Sequence, residues 1–164
     1  MAILPIRTLP DPVLRQKAKK VRNIDNSVKK LIADMLETMH ADPGRAGLAA
    51  PQVGISLRVI VIGIPEQEDI VLINPEIVKR NGERFINEGC LSIPGYFGEV
   101  KRAKSVTAKG RDQNWKEVRI KAEDLLAQAL EHEIDHLNGL LYIDHLDSIN
   151  ALQKVEVDAE EDEP

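Results

Sequence analysis

Two histidines and a glutamate stand in the order His132-Glu133-x-x-His136. Residues four apart on a helix lie nearly one above the other, so both imidazoles can reach one metal ion. Glu133 then stands beside that ion, where it can take a proton from a bound water. The bland alternative is an amphipathic helix that carries these residues without chemistry. Two histidines also leave a catalytic site short of its usual three protein ligands and one open position. The best third donor is Cys90, the single cysteine, in Asn87-Glu88-Gly89-Cys90-Leu91-Ser92-Ile93-Pro94-Gly95. Gly89 before it and Pro94-Gly95 after it predict an irregular backbone that presents a thiolate; the alternative is a buried inert thiol. Glu88 reads as a buried partner for a basic group rather than a catalytic carboxylate. His40 and His145 have no partner at ligand spacing and read as structural or solvated, and Asp135 reads as a local polar contact.

Elements must hold these residues in place. Leu125, Leu126, Ala129, Leu130 and Leu137 recur at helical steps around the histidines, with Asp124 as N-cap and Gly139 as the C′ stop. A second amphipathic helix is expected over Ser27–His40, capped by Asp25 or Ser27. A turn and a short helix are expected between Pro10 and Lys20. The β-branched run from Arg58 to Ile64 predicts a buried strand, with Ile70–Asn74 as its neighbour. Asn81-Gly82, between Glu76–Arg80 and Glu83–Ile86, is a strong hairpin signal. Lys104–Lys109 and Lys116–Lys121 predict a second hairpin, and Ser148–Lys154 a last short helix. Strands cluster in the middle with helices at either end, which predicts an α+β fold.

The 164 residues fit one domain, here 1–155, followed by an acidic, disordered tail, 156–164. Six of the 27 carboxylates lie in that tail, so the remainder carries 22 basic and 21 acidic residues despite a net charge of −5. This balance excludes a general nucleic-acid binder. Aromatics are 3 % of the chain, so the core must be largely aliphatic. One cysteine, no secretion-signal layout and no spanning apolar run predict a cytoplasmic protein with no membrane partner.

Three segments together, Gly47-Leu-Ala-Ala-Pro-Gln52, Glu88-Gly-Cys-Leu-Ser92 and His132-Glu-Ile-Asp-His136, resemble peptide deformylases. These are metallohydrolases that remove the N-formyl group from nascent polypeptides. The segments stand in that family's order and at similar spacings, from about Pro10 to Leu146. The resemblance implies that Cys90, His132 and His136 hold one divalent metal and that Glu133 is the general base and acid. It implies an oxyanion pocket made by Gln52 and the backbone N–H of Leu91. It further implies a central metal-bearing helix enclosed by small mixed or antiparallel sheets. Fe2+ is the usual native ion of the family, with Zn2+, Ni2+ or Co2+ able to take its place. The implied reaction is attack of a metal-bound water on an N-formylmethionyl peptide, releasing formate. A thiolate ligand acidifies that water less than a third imidazole would, which makes a nearby carboxylate more useful.

Leu125, Gln128 and Ala129 precede His132 by seven, four and three residues, on its side of the helix. With Ala46 or Leu48 they are expected to line a pocket for the methionine side chain. Leu125 is equally well explained as core, and Gln128 is polar where an apolar lining would be simplest. Backbone near Ala46 and Gly47 can pair with an extended substrate. The family's loop begins Gly-apolar-Gly, but Arg45-Ala46-Gly47 stands here. A left-handed arginine would cost about 1–2 kcal/mol, so either Gly44 supplies the freedom or the loop is shaped differently. Two other readings share these residues: a zinc peptidase, and an idle deformylase-like domain with a structural metal. The substrate implies transient ribosome association, for which the acidic tail has the wrong sign.

Overall fold

The β-branched run forms strand β2 (Val59–Ile62), and all four of its side chains are buried. Alternate residues of a strand point to opposite faces, so β2 needs a partner layer on each side. Val59 and Val61 join the apolar cluster of helix α1 (Asn26–His40), with Leu31, Met35 and Met39. Ile60 and Ile62 join the cluster of helix α2 (Asp124–Leu137), with Leu130, Ile134 and Leu137. Small residues, Ala108, Ala122 and Ala127, are buried where α2 lies on the sheet.

This arrangement comes from a computed structural model describing residues 2–146 and 151–154. The remaining strands are β1 (Gly47–Ala49), β3 (Ile70–Asn81), β4 (Arg84–Cys90), β5 (Ile93–Arg102), β6 (Ser105–Arg111), β7 (Glu117–Glu123) and β8 (Gln153–Lys154). They build two antiparallel sheets, one in the order β1-β2-β3-β6-β7 and one in the order β4-β5-β8. The α+β expectation holds, with helix α2 central and both sheets antiparallel.

Helix α1 is capped by Asp25, whose carboxylate accepts the N–H of Val28 and the hydroxyl of Ser27. The expected short N-terminal helix is one 3-10 turn at Pro12–Arg15, capped by Asp11. The second expected hairpin forms as β6 and β7, and Asp112 closes its turn by accepting from the N–H groups of Asn114 and Lys116.

Four local expectations need correction. Asn81-Gly82 does not join a hairpin, because β3 and β4 on either side of it belong to different sheets. Asn81 pairs with Ser105 and its carbonyl accepts from Lys104. Long-range pairing with β6 and β5 takes the edges that the local turn would have joined. Residues 70–81 form one strand rather than two, with a bulge between Ile73 and Glu76 that absorbs Pro75 and its missing N–H. Asp124 is the first helical residue, not the cap, since β7 runs straight into α2 and Glu123 holds the extended cap position. Of the predicted last helix, Gln153–Lys154 is a strand paired with Tyr96 and Phe97; residues 148–150 and the acidic tail lie outside the described residues. The end of α2 is as expected: Gly139 at φ 76° lets its own N–H reach His136 and the N–H of Leu140 reach Asp135, closing a Schellman motif.

Candidate metal centre

The face of α2 that carries His132 and His136 turns toward the hairpin of β4 and β5. Cys90 ends β4 and pairs with Ile93, so Leu91 and Ser92 form a two-residue turn over the helix. The expectation of irregular backbone around Cys90 holds in part: Cys90 is the last residue of β4, the register with β5 shifts between Glu88 and Cys90, and the extra residues lie on the β5 side, where Gly95 has φ 85°.

The Nε2 atoms of His132 and His136 lie 3.3 Å apart, and Cys90 Sγ lies 3.4 Å from the latter. All three donors fall within 4.8 Å of one another. Ligand bonds of about 2.0 Å to nitrogen and 2.3 Å to sulfur around a tetrahedral ion give edges of about 3.3 Å and 3.5 Å. The donor set fits one such ion. No other group of three His, Cys, Asp or Glu side chains within ligating distance occurs among the described residues.

Charges around the donors are tightly coupled. Glu88, 4 % exposed, accepts two bonds from Arg102 and one from His132 Nδ1. Burial works to raise its carboxyl, but His132 and Arg102 outweigh that and hold it at about 2. The bond at Nδ1 turns His132 Nε2 toward the metal position. Arg102 also binds Asp135 at 2.9 Å, and Asp135 in turn holds His145 at 2.8 Å. Burial opposes charge on His132, yet Glu133, Cys90 and Glu88 hold its pKa well above the ordinary value. His136 goes the other way, pushed well down by burial and then by the neighbouring charge on His132.

Glu133 is 5 % exposed, and its Oε1 is buried without a partner among the described residues. Burial pushes its carboxyl up to about 7, the range a general base at neutral pH requires. Gly47 of β1 lies against it so closely that a Cβ there would stand 2.8 Å from Oε2. Gln52, in the 3-10 turn after β1, is 2 % exposed. Its Oε1 accepts from Ala49 N–H at 3.0 Å, which turns its NH2 toward Cys90 Sγ at 3.6 Å and Ser92 Oγ at 3.3 Å.

A cavity of about 420 Å³ opens on this centre. Ala46, Gly47, Gln52, Leu91, Leu125, Gln128, Ala129, His132 and Glu133 all line it. Leu48 does not: it is fully buried in the α1 cluster, because alternation along β1 turns it away from Gly47 and Ala49. Leu125 is 43 % exposed and is not core. Gln128 donates to Glu88 at 3.3 Å, which accounts for a polar residue there. Arg45 has an ordinary negative φ and carries no left-handed strain; Gly44 likewise has no positive φ. Sequence reasoning missed Arg102 and Ser92 as contacts of the site, and missed the bond from Glu88 to His132. For Glu88 a signal existed, since residues two apart on a strand share a face and Cys90 is its i+2 neighbour. Arg102 is the basic partner expected for a buried Glu88, although nothing local to Arg102 singled it out.

Fold and centre together define a small α+β protein with a Cys-His-His donor cluster of metal-ligating dimensions beside a buried glutamate. The sequence model of polypeptide deformylases matches residues 3–151. A peptide deformylase of Dehalococcoides mccartyi (strain CBDB1) is 59 % identical over 161 residues, 98 % of this chain and 96 % of that one. The crystal structure of a peptide deformylase from Legionella pneumophila superposes with a TM-score of 0.87 at 49 % identity, covering 92 % of this chain and 89 % of that one. An Acinetobacter baumannii peptide deformylase with Met-Ala-Ser bound superposes at 0.84 and 32 % identity, over 88 % and 99 % of the two chains. The chain belongs to the polypeptide deformylase family, metal-dependent enzymes that remove the N-formyl group from nascent peptides. No helix among the described residues is long and apolar enough to cross a membrane.

Proposed function

We propose that Cys90, His132 and His136 hold one divalent ion, Fe2+ in the cell, and that Glu133 is the acid–base group of deformylation. When bound, such an ion lowers the pKa of a coordinated water and polarises the formyl carbonyl. Glu133 accepts the proton of the attacking water at its partnerless Oε1 and delivers it to the amine that leaves. The NH2 of Gln52 and the backbone N–H of Leu91 receive the charge that develops on the formyl oxygen; one such donor is worth about 3 kcal/mol. Ala46, Leu125, Gln128 and Ala129 hold the methionine side chain. The free edge of β1 at Gly47 pairs with the peptide backbone, as an edge strand of the five-stranded sheet can. Residues 1–155 act as the catalytic domain, in the cytoplasm and in transient contact with ribosomes, and the tail is not needed for chemistry.

The observation that carries this reading is a buried carboxylate with an unsatisfied oxygen beside a three-donor cluster of ligating dimensions. The test is formate release from formyl-Met-Ala peptide by protein prepared without oxygen and loaded with Fe2+ or Co2+. Glu133→Ala should retain one metal per chain and lose turnover at least 100-fold. Undiminished turnover in that variant would sink the acid–base assignment.

A further inference from the structure

Among the described residues that line the cavity, Arg45 is the one with a permanent positive charge. Its Nη1 donates to the carbonyl of Thr38 in the last turn of α1, where the helix dipole favours a cation. That bond occupies one of five N–H donors and cancels no charge; Nε is buried without a partner among the described residues, which leaves the Nη1 and Nη2 edge for a ligand. Arg45 forms no ion pair with any carboxylate among the described residues, although Glu37 and Asp42 are near it in the chain. The cavity is therefore polarised. Glu133 and Glu88 stand at the metal end. Arg45 stands two residues before Gly47, roughly 7 Å away along an extended chain.

We propose that Arg45 is a specificity-determining residue, selecting formyl peptides with a carboxylate side chain at the second or third residue. The inference rests on the deformylase reading above and refines its substrate class. A peptide with its formyl group beside Glu133 and its backbone along the free edge of β1 brings one of those side chains to the guanidinium. A carboxylate there accepts parallel N–H bonds and supplies the missing countercharge. A lysine there is repelled. An acidic group nearer the formyl end gains nothing from Arg45, because the guanidinium is out of its reach.

The experiment uses two series of C-terminally amidated peptides, formyl-Met-Xaa-Ser and formyl-Met-Ala-Xaa, with Glu, Gln or Lys as Xaa. The amide removes the terminal carboxylate as a competing anion. In at least one series kcat/KM should fall from Glu to Gln to Lys by about threefold to fivefold per step, carried by KM. The order should fade between 0.1 M and 1 M salt, as the screening length drops from about 10 Å to about 3 Å. Arg45→Glu should reverse it, which loss of structure cannot do, and Arg45→Lys should keep it. Calorimetric Kd values of the deformylated Met-Ala-Xaa and Met-Xaa-Ser amides should follow the same order without turnover. Equal constants for Glu, Gln and Lys in both series, or an unreversed order in Arg45→Glu, would overturn the proposal. Failure of the metal-loaded protein to process the Gln peptides at all would instead count against the mechanism on which it rests.

Discussion

Glu133 and Gly47 are fitted to one another. The carboxylate occupies the space a side chain at residue 47 would need, with 2.8 Å between Oε2 and the position of a Cβ. That distance is too short for van der Waals contact, so Gly47→Ala must displace the carboxylate or β1. The displacement falls on the proposed proton acceptor, and a misplacement of about 1 Å can cost 10²-fold in rate. Gly47→Ala should therefore lower kcat by at least tenfold while metal content, read by atomic absorption, stays at one per chain. Unchanged kcat would mean that Glu133 has room to relax without leaving its working position. Among single residues, His132 and His136 of the donor cluster were the most legible in the chain, because a four-residue helical step constrains two side chains at once. Leu48 was misread because whether a β1 residue faces the cavity or α1 depends on strand phase, which a three-residue strand hardly reveals.

At the scale of elements, α2 and the hairpin of β4 and β5 are tied together by Arg102. Its guanidinium is 2 % exposed and bridges Glu88 of β4 to Asp135 of α2. Taking away one partner of a buried ion pair leaves the other charged and desolvated, at a cost of about 3–5 kcal/mol. Arg102→Met should lose about that much stability in urea unfolding, and adding Glu88→Gln should restore part of it. The same pair predicts an acid dependence. Glu88 is held at about 2 in the folded chain against an ordinary value of 4.5, so its contribution is complete above pH 4.5 and is lost as the pH falls toward 2. Parent protein should lose stability more steeply across that window than Glu88→Gln. Equal slopes would show that other carboxylates dominate. Helices α1 and α2 were readable from their apolar period, but the partner of each strand was not. Asn81-Gly82 is a good local turn that the sheets use as a corner.

For the molecule as a whole, the proposed metal position lies between α2, which carries His132 and His136, and the end of β4, which carries Cys90. An ion bound there joins two parts of the chain far apart in sequence and has no equivalent site in the unfolded state. Binding to the folded form alone adds RT ln(1 + [L]/Kd), about 2.7 kcal/mol at a hundredfold excess over Kd. Removing the metal with a chelator should abolish formate release and lower Tm by several degrees, and adding Co2+ should restore both. Lost activity with unchanged Tm would place the metal outside this junction. Such a result would contradict the three-donor assignment.

The sequence by itself determined the helix that carries His132, Glu133 and His136, the nomination of Cys90, and, through three motifs in order, the family. These follow from local period, from residue chemistry and from short patterns, all of which survive without knowledge of long-range contacts. Only the tertiary structure decided that Cys90 ends a strand at a shift of register, that Glu88 and Arg102 orient His132, that Leu48 is core, and that Arg45 borders the cavity without strain and without an ion-pair partner among the described residues. Each of these depends on which strands pair and in what register, and register is set by burial on both faces of a sheet at once, over separations that no local window spans.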